Sequence, residues 1–192
     1  MAIMKKIGLI LVGLVVVFVG VGLMLPTQIN VERSIVIQSA PAEIHQYVGD
    51  LQKWEQWTPW QKEDPTLVIT LGDITAGVGA SQSWQGDSGK GSLKIVSSSP
   101  DTGITYDLYF DGDQHKSDCV MRYDEIQAIG NTDLPGDTAI NTLTKRTNVT
   151  WSMSGDMSIP VVGGYLALMM DGMAGGMLEQ GLVSLKKVVE GK

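Results

Sequence analysis

The chain has 192 residues and carries 14 Lys and Arg against 21 Asp and Glu, a net charge of −7. Lys5 and Lys6 are the only charges before Pro26, so residues 27–192 hold 12 basic and 21 acidic side chains. That balance repels phosphate backbones and argues against nucleic acid as a partner. A single cysteine, Cys119, excludes an intramolecular disulfide and a thiolate-bound metal cluster within one chain.

The first element is an apolar run, Ile7 to Leu25, without a charged or polar side chain. Its length predicts a helix able to span the hydrocarbon core of a bilayer, where the backbone must bond to itself. A cleaved signal peptide would show a shorter run and a small-residue cleavage site. Here Leu23, Met24 and Leu25 lead straight into Pro26, which favours an uncleaved anchor over residues 1–26. Lys5 and Lys6 before the run, with only Arg33 soon after it, place the N-terminus in the cytoplasm. The remaining residues, 27–192, would then be extracytoplasmic, or periplasmic in a Gram-negative cell.

The segment Ile29–Ile37 alternates and predicts a first strand. Pro41 and Glu43 mark a helix start, and Ile44, Tyr47, Val48 and Leu51 supply its apolar face. A short second helix is expected near Asp50–Trp57. Trp54, Trp57 and Trp60 then recur every third residue. They read either as an aromatic rim to a pocket or as packing of this helix onto a sheet.

Strand-like pieces follow at Leu67–Leu71, Ser81–Gln85, Ser92–Val96 and Ile104–Asp111. The run Gly86–Gly91 is expected as a hairpin connection; its spacing does not fit a phosphate-binding loop. In the fourth piece Tyr106, Leu108 and Phe110 share one face with Ile104, against Thr105, Asp107 and Tyr109. This is the pattern of an antiparallel sheet with one wet face. A strand between Lys116 and Ile126, a loop over Gly130–Asp137 and a last strand with Val149, Trp151 and Met153 on one face complete the sheet. Trp84 and Trp151 are expected in the core or in a cavity wall.

From Pro160 the pattern turns helical, with Leu178, Leu182, Leu185 and Val189 as its stripe. Leu166, Met170, Met173 and Met177 belong to a methionine-rich stretch suited to a pocket that adapts to its ligand, or to ordinary helix core. Gly172 and Gly176 form a GxxxG pair, and Asp171 argues against this helix being a second span. His45 and His115 show no partner in the sequence and are expected at the surface. Strands bracketed by helices give an α+β domain.

Several motifs together resemble the START/Bet v 1-like helix-grip superfamily, in its SRPBCC polyketide cyclase/dehydrase-like branch. They are Val31-Glu32-Arg33-Ser34, Ala40-Pro41-Ala42-Glu43-Ile44, the segment Trp54–Trp60, Gly77-Val78-Gly79 before Ser83-Trp84, Thr150-Trp151-Ser152-Met153 and Gly181–Lys186. The resemblance spans residues 29–190. It implies a curved antiparallel sheet wrapped around a long C-terminal helix, with a cavity beneath that helix for lipids or other apolar molecules. Trp54, Trp57, Trp60, Trp84, Tyr106, Leu108, Phe110, Trp151, Met153, Leu166, Met170, Met173 and Met177 are the expected lining or rim. No cofactor or metal is expected, and no catalytic residue stands out. The leading expectation is a membrane-held carrier or binding domain for a hydrophobic or amphipathic small molecule. A cyclase- or hydratase-like enzyme on an apolar substrate, and a non-catalytic envelope interaction domain with a protein partner, are the alternatives.

Overall fold

The computed structural model describes residues 2–111, 115–130 and 142–191. Helix α1 (Ala2–Met24) comes first. Among the described residues it contains the one stretch, Lys5–Met24, that is long and apolar enough to cross a membrane. Strand β1 (Gln28–Ile37) follows after a short connection.

Helix α2 (Pro41–Val48) begins as its sequence dictates. Pro41 occupies the first turn, and the Glu43 carboxylate accepts from the Ser39 hydroxyl and from the Ala40 backbone N–H. Ile44 and Val48 face the core. A 3-10 turn over Leu51–Gln56 comes next, started by Asp50, whose side chain accepts from the Gln52 N–H at 3.0 Å. A 3-10 helix has three residues per turn. Leu51 and Trp54 therefore fall on one line, and both are buried, as is Trp57 at the end of the turn. The short helix α3 (Trp60–Glu63) ends the segment.

Six further strands follow: β2 (Val68–Leu71), β3 (Ser81–Gly86), β4 (Gly89–Ser99), β5 (Gly103–Phe110), β6 (His115–Gly130) and β7 (Thr142–Asp156). They join β1 in one antiparallel sheet of order β1-β7-β6-β5-β4-β3-β2. The β3–β4 connection is tighter than the sequence suggests: Gly86 pairs with Gly89, leaving Asp87 and Ser88 as the turn. Gly91 lies within β4, because a Cβ there would come 2.2 Å from the Trp84 ring and 2.3 Å from the Tyr109 carbonyl oxygen. The loop expected at Gly130–Asp137 begins at the end of β6, and its remainder lies outside the described residues.

Helix α4 (Gly163–Glu190) runs alongside β1. Its start lies by Leu25 and Thr27, the Gly175 turn lies by Arg33, and near its end Lys186 donates to the Val36 carbonyl at 2.8 Å. Leu178, Leu182 and Leu185 are its buried stripe, packed with Ile37, Ile44, Met121 and Val149 in one core.

Candidate functional site

The core face of the sheet carries an unbroken series of aromatic rings that begins beneath α4. Trp151 on β7 meets Trp57 edge-on at 5.5 Å, and Trp57 meets Trp54 at 5.3 Å. Trp54 touches both Tyr106 on β5, at 5.5 Å, and Trp60, at 5.6 Å. Trp60 stacks on Trp84 at 6.4 Å, and Trp84 meets Phe110 at 5.9 Å. All five tryptophans of the chain belong to this ladder. It runs from a fully buried end, at Trp151, Trp57, Trp54 and Tyr106, to half-buried Trp60 and Trp84 and exposed Phe110.

Each buried polar ring atom has a partner, as burial demands. The Trp54 indole N–H donates to the Val48 carbonyl at 2.8 Å, and that of Trp57 donates to Tyr47 at 3.3 Å. Trp151 donates to the Tyr106 hydroxyl at 2.9 Å. In this conformation the indoles themselves occupy the space under α4. Gly181 admits one of them, since a Cβ there would lie 2.7 Å from the Trp151 ring.

The other residues expected at a pocket divide between core and surface. Leu108 and Met153 are buried in the common core, and Met170 packs against it. Met177 is half-buried. Leu166 and Met173 are exposed on the far side of α4 from the core. The periodicity that puts Leu178 inward turns these two outward.

Sequence reasoning missed three polar features. Gln82, on the same face of β3 as Trp84, is buried, and its amide nitrogen has no hydrogen-bond partner among the described residues. Arg33 sits on the core face of β1 between Val31 and Ile35. Its guanidinium reaches across α4 to the Asp171 carboxylate, at 3.0 and 3.2 Å, and to the Asp171 carbonyl oxygen at 3.1 Å. Each partner holds the other charged: the Asp171 carboxyl is shifted down and the Arg33 guanidinium up. A Cβ at Gly175 would lie 2.1 Å from that guanidinium, so the crossing needs a glycine.

The third feature is His45, a correction to its expected surface position. Its ring is half-buried between Ser98 (Nε2 to hydroxyl, 3.1 Å) and Tyr123 (Nδ1 to hydroxyl, 3.4 Å), tying α2 to β4 and β6. Both partners are hydroxyls, so neither supplies the negative charge that would favour an imidazolium. Burial shifts the His45 pKa below its ordinary 6.5. The unfolded chain therefore takes up a proton below pH 6.5 before the folded one does. Stability is expected to be full above that pH and to fall as pH drops toward the carboxylate range. His45→Gln should flatten that part of a plot of urea midpoint against pH. An unchanged slope would refute the assignment.

Cys119 lies under the ladder on β6, and burial pushes its thiol up to about 12. A thiol, unlike a thiolate, is a poor nucleophile. The folded chain is expected to resist alkylation at mildly alkaline pH and to react only once unfolded, as read by mass. Rapid labelling of the native chain would contradict the burial. Side-chain geometry at His115 lies outside what the structure describes.

An open trough of about 750 Å³ lies at the β2–β4 end, walled by Val68, Thr70, Ser83, Gln85, Lys90 and Ser92, with Trp84 at its edge. Ser83 pairs with Ser92 and faces away from the core that their neighbours Gln82 and Leu93 enter. The trough is thus on the outer face of the sheet. It is pinned by Asp64, whose carboxylate accepts from Thr66 N–H and hydroxyl (2.9 and 2.5 Å) and from Ser88 N–H and hydroxyl (2.9 and 2.6 Å).

A seven-stranded antiparallel sheet closed by a long C-terminal helix is the helix-grip fold. Solved structures similar to this chain include protein CV1439 from Chromobacterium violaceum, with TM-score 0.51 and 15% identity over 84% of this chain and 97% of that one. Hypothetical protein jhp0584 from Helicobacter pylori aligns with TM-score 0.57 and 11% identity, over 83% and 87% of the two chains. Ara h 8.0201 aligns with TM-score 0.54 and 12% identity, over 86% and 99%. At such identities the likeness establishes the fold alone. No protein-family model matches the chain, and no curated protein matches its sequence.

Proposed function

We propose that this chain is a membrane-anchored domain that binds a hydrophobic or amphipathic small molecule, such as a lipid, between α4 and the aromatic ladder. The observation that carries the reading is the gathering of all five tryptophans, ring against ring, from Trp151 beneath α4 out to the surface at Phe110. Aromatic faces offer a large apolar surface of fixed shape, suited to a ligand without polar anchors along its length. The unpartnered Gln82 amide supplies a donor for the polar end of an amphipathic ligand. Helix α1 serves as the single-pass anchor, with residues 27–192 as the binding domain on its extracytoplasmic side. That position suits a ligand that partitions into lipid.

Because the indoles fill the space, binding requires α4 to move outward. Its first half is built to yield. Gly172 and Gly176 have open space where a Cβ would stand, so they serve no close packing. Each weakens the helix by about 0.5–1 kcal/mol relative to alanine. The double variant Gly172→Ala/Gly176→Ala is therefore expected to be about 1–2 kcal/mol more stable. It should take up ligand more slowly, as read by stopped-flow tryptophan quenching. Stabilisation with unchanged uptake would argue against opening at this half of the helix.

The reading itself is tested by adding a brominated fatty acid to the full chain in nanodiscs. Bromine quenches indoles on contact, and every indole here lies in the ladder. Saturable quenching at ligand-to-protein stoichiometry supports the site. Quenching that rises only with bulk bromolipid rejects it.

A further inference from the structure

The outward face of α4 is apolar over its first three turns. Val162, at its N-cap, and Leu166, Met169 and Met173 recur at spacings of four, three and four, and are 43, 36, 59 and 64% exposed. Leu168 and Ile159 flank them, also exposed. Between Asp156 and Glu179 the only charged residue is Asp171, and Arg33 binds its carboxylate from the opposite side of the helix. Exposed apolar area of this extent without interspersed charge marks a contact surface.

What covers it is indicated by α1. Phe18 and Tyr165 stack at 4.6 Å with rings 1° from parallel, and the Tyr165 hydroxyl donates to the Phe18 carbonyl at 2.9 Å. Two glycines let the chains close in. A Cβ at Gly22 would lie 2.2 Å from the Val161 carbonyl oxygen, and one at Gly164 would lie 2.3 Å from the Leu25 Cβ. Val161 holds φ at 68°, a region that a β-branched residue rarely enters. The junction is thus specific enough to sustain local strain. Phe18 precedes the end of α1 by six residues, about 9 Å along a helix rising 1.5 Å per residue. A bilayer that encloses α1 must therefore reach Tyr165 and its neighbours.

We propose that the first half of α4, from Ile159 to Met173, lies in the headgroup–acyl boundary of the same bilayer that α1 crosses, so that two elements hold the domain on the lipid surface. This rests on α1 being a membrane anchor. Depths of about 5–10 Å are usual for a helix lying in that boundary. The patch carries no basic residue, so it recognises the acyl boundary itself and not anionic headgroups. Docking also sets the start of the yielding half of α4 against the lipid from which a ligand would come.

The test is a set of single spin labels on the full chain in phosphatidylcholine vesicles, at Val16→Cys, Met169→Cys, Met173→Cys and Val183→Cys. Cys119 stays in place because it is buried, and the unsubstituted chain is the labelling blank. Collisions with oxygen and with a water-soluble nickel chelate report depth. The expected result is a deep label at 16, labels at 169 and 173 that lose nickel collisions and gain oxygen collisions, and an aqueous label at 183. A deep label at 16 with aqueous labels at 169 and 173 overturns the docking and leaves the anchor standing. An aqueous label at 16 overturns both. Labels at 169 and 173 shielded from both reagents would mean that a second copy covers the patch, which also overturns it. Met169→Asp/Met173→Asp, with native circular dichroism as its folding check, is expected to lift this half of α4 from the lipid, seen as faster amide exchange over 162–173. Unchanged exchange would count against the proposal.

Discussion

Replacing Trp54 with alanine is expected to cost about 3–5 kcal/mol of folding stability, the range for truncating a buried large aromatic side chain. For a domain of this size that lowers the melting temperature by about 6–20 °C. Three ring contacts disappear together, to Trp57, Trp60 and Tyr106, and the Val48 carbonyl loses its indole donor. Trp54→Phe should recover most of the packing but leave that carbonyl unpaired, at a cost of about 1–3 kcal/mol. Trp84, half-buried near the end of the ladder, should cost less than Trp54 when truncated. Thermal unfolding of the three variants gives the order directly. Equal losses at 54 and 84 would mean that the ladder has no buried end.

The second large effect is expected at Gly181. Helix propensity alone favours a larger residue there by up to about 1 kcal/mol. Packing opposes it, because a Cβ would meet the rigid Trp151 ring at 2.7 Å, with Pro59 at 3.6 Å behind it. Gly181→Leu is therefore expected to destabilise by about 1–3 kcal/mol or more through overpacking. Its sign is opposite to that of the Gly172→Ala/Gly176→Ala variant, although all three glycines sit in one helix. The contrast separates glycines kept for close packing from glycines that only soften the helix. Stabilisation by Gly181→Leu would show that α4 does not rest on Trp151 in solution.

Much of this fold was legible because the informative signals are local. The alternation of Ile104, Tyr106 and Leu108 and the Pro41–Glu43 helix start act within a few residues. The apolar run of α1 is equally plain. The threefold spacing of the tryptophans was visible, but its meaning depended on the helix type. In the 3-10 turn that spacing aligns Leu51 with Trp54 on one buried line, and Trp57 is buried where the turn ends.

The features that escaped the sequence join residues far apart in the chain. Arg33 reads as an ordinary strand charge until α4 brings Asp171 to it. His45 had no visible partner because Ser98 and Tyr123 arrive from two other strands. The methionine-rich stretch read as one candidate lining, yet the helix turns Met170 toward the core and Met173 away from it. Gln82 drew no separate reading within the Ser81–Gln85 strand piece, and its burial follows from the β3–β4 register that sets it opposite Leu93. Such facts depend on which elements meet, and local pattern does not encode that.

The central claim, that an apolar molecule is held beneath α4, is met most directly by native mass spectrometry of the full chain released from membranes in lipid nanodiscs. The account requires a reproducible added mass of one apolar molecule per chain, recovered by organic extraction and diminished by Trp57→Ala relative to the unaltered protein. A chain that flies at its bare mass, and still does so after exposure to a broad lipid library, would contradict it.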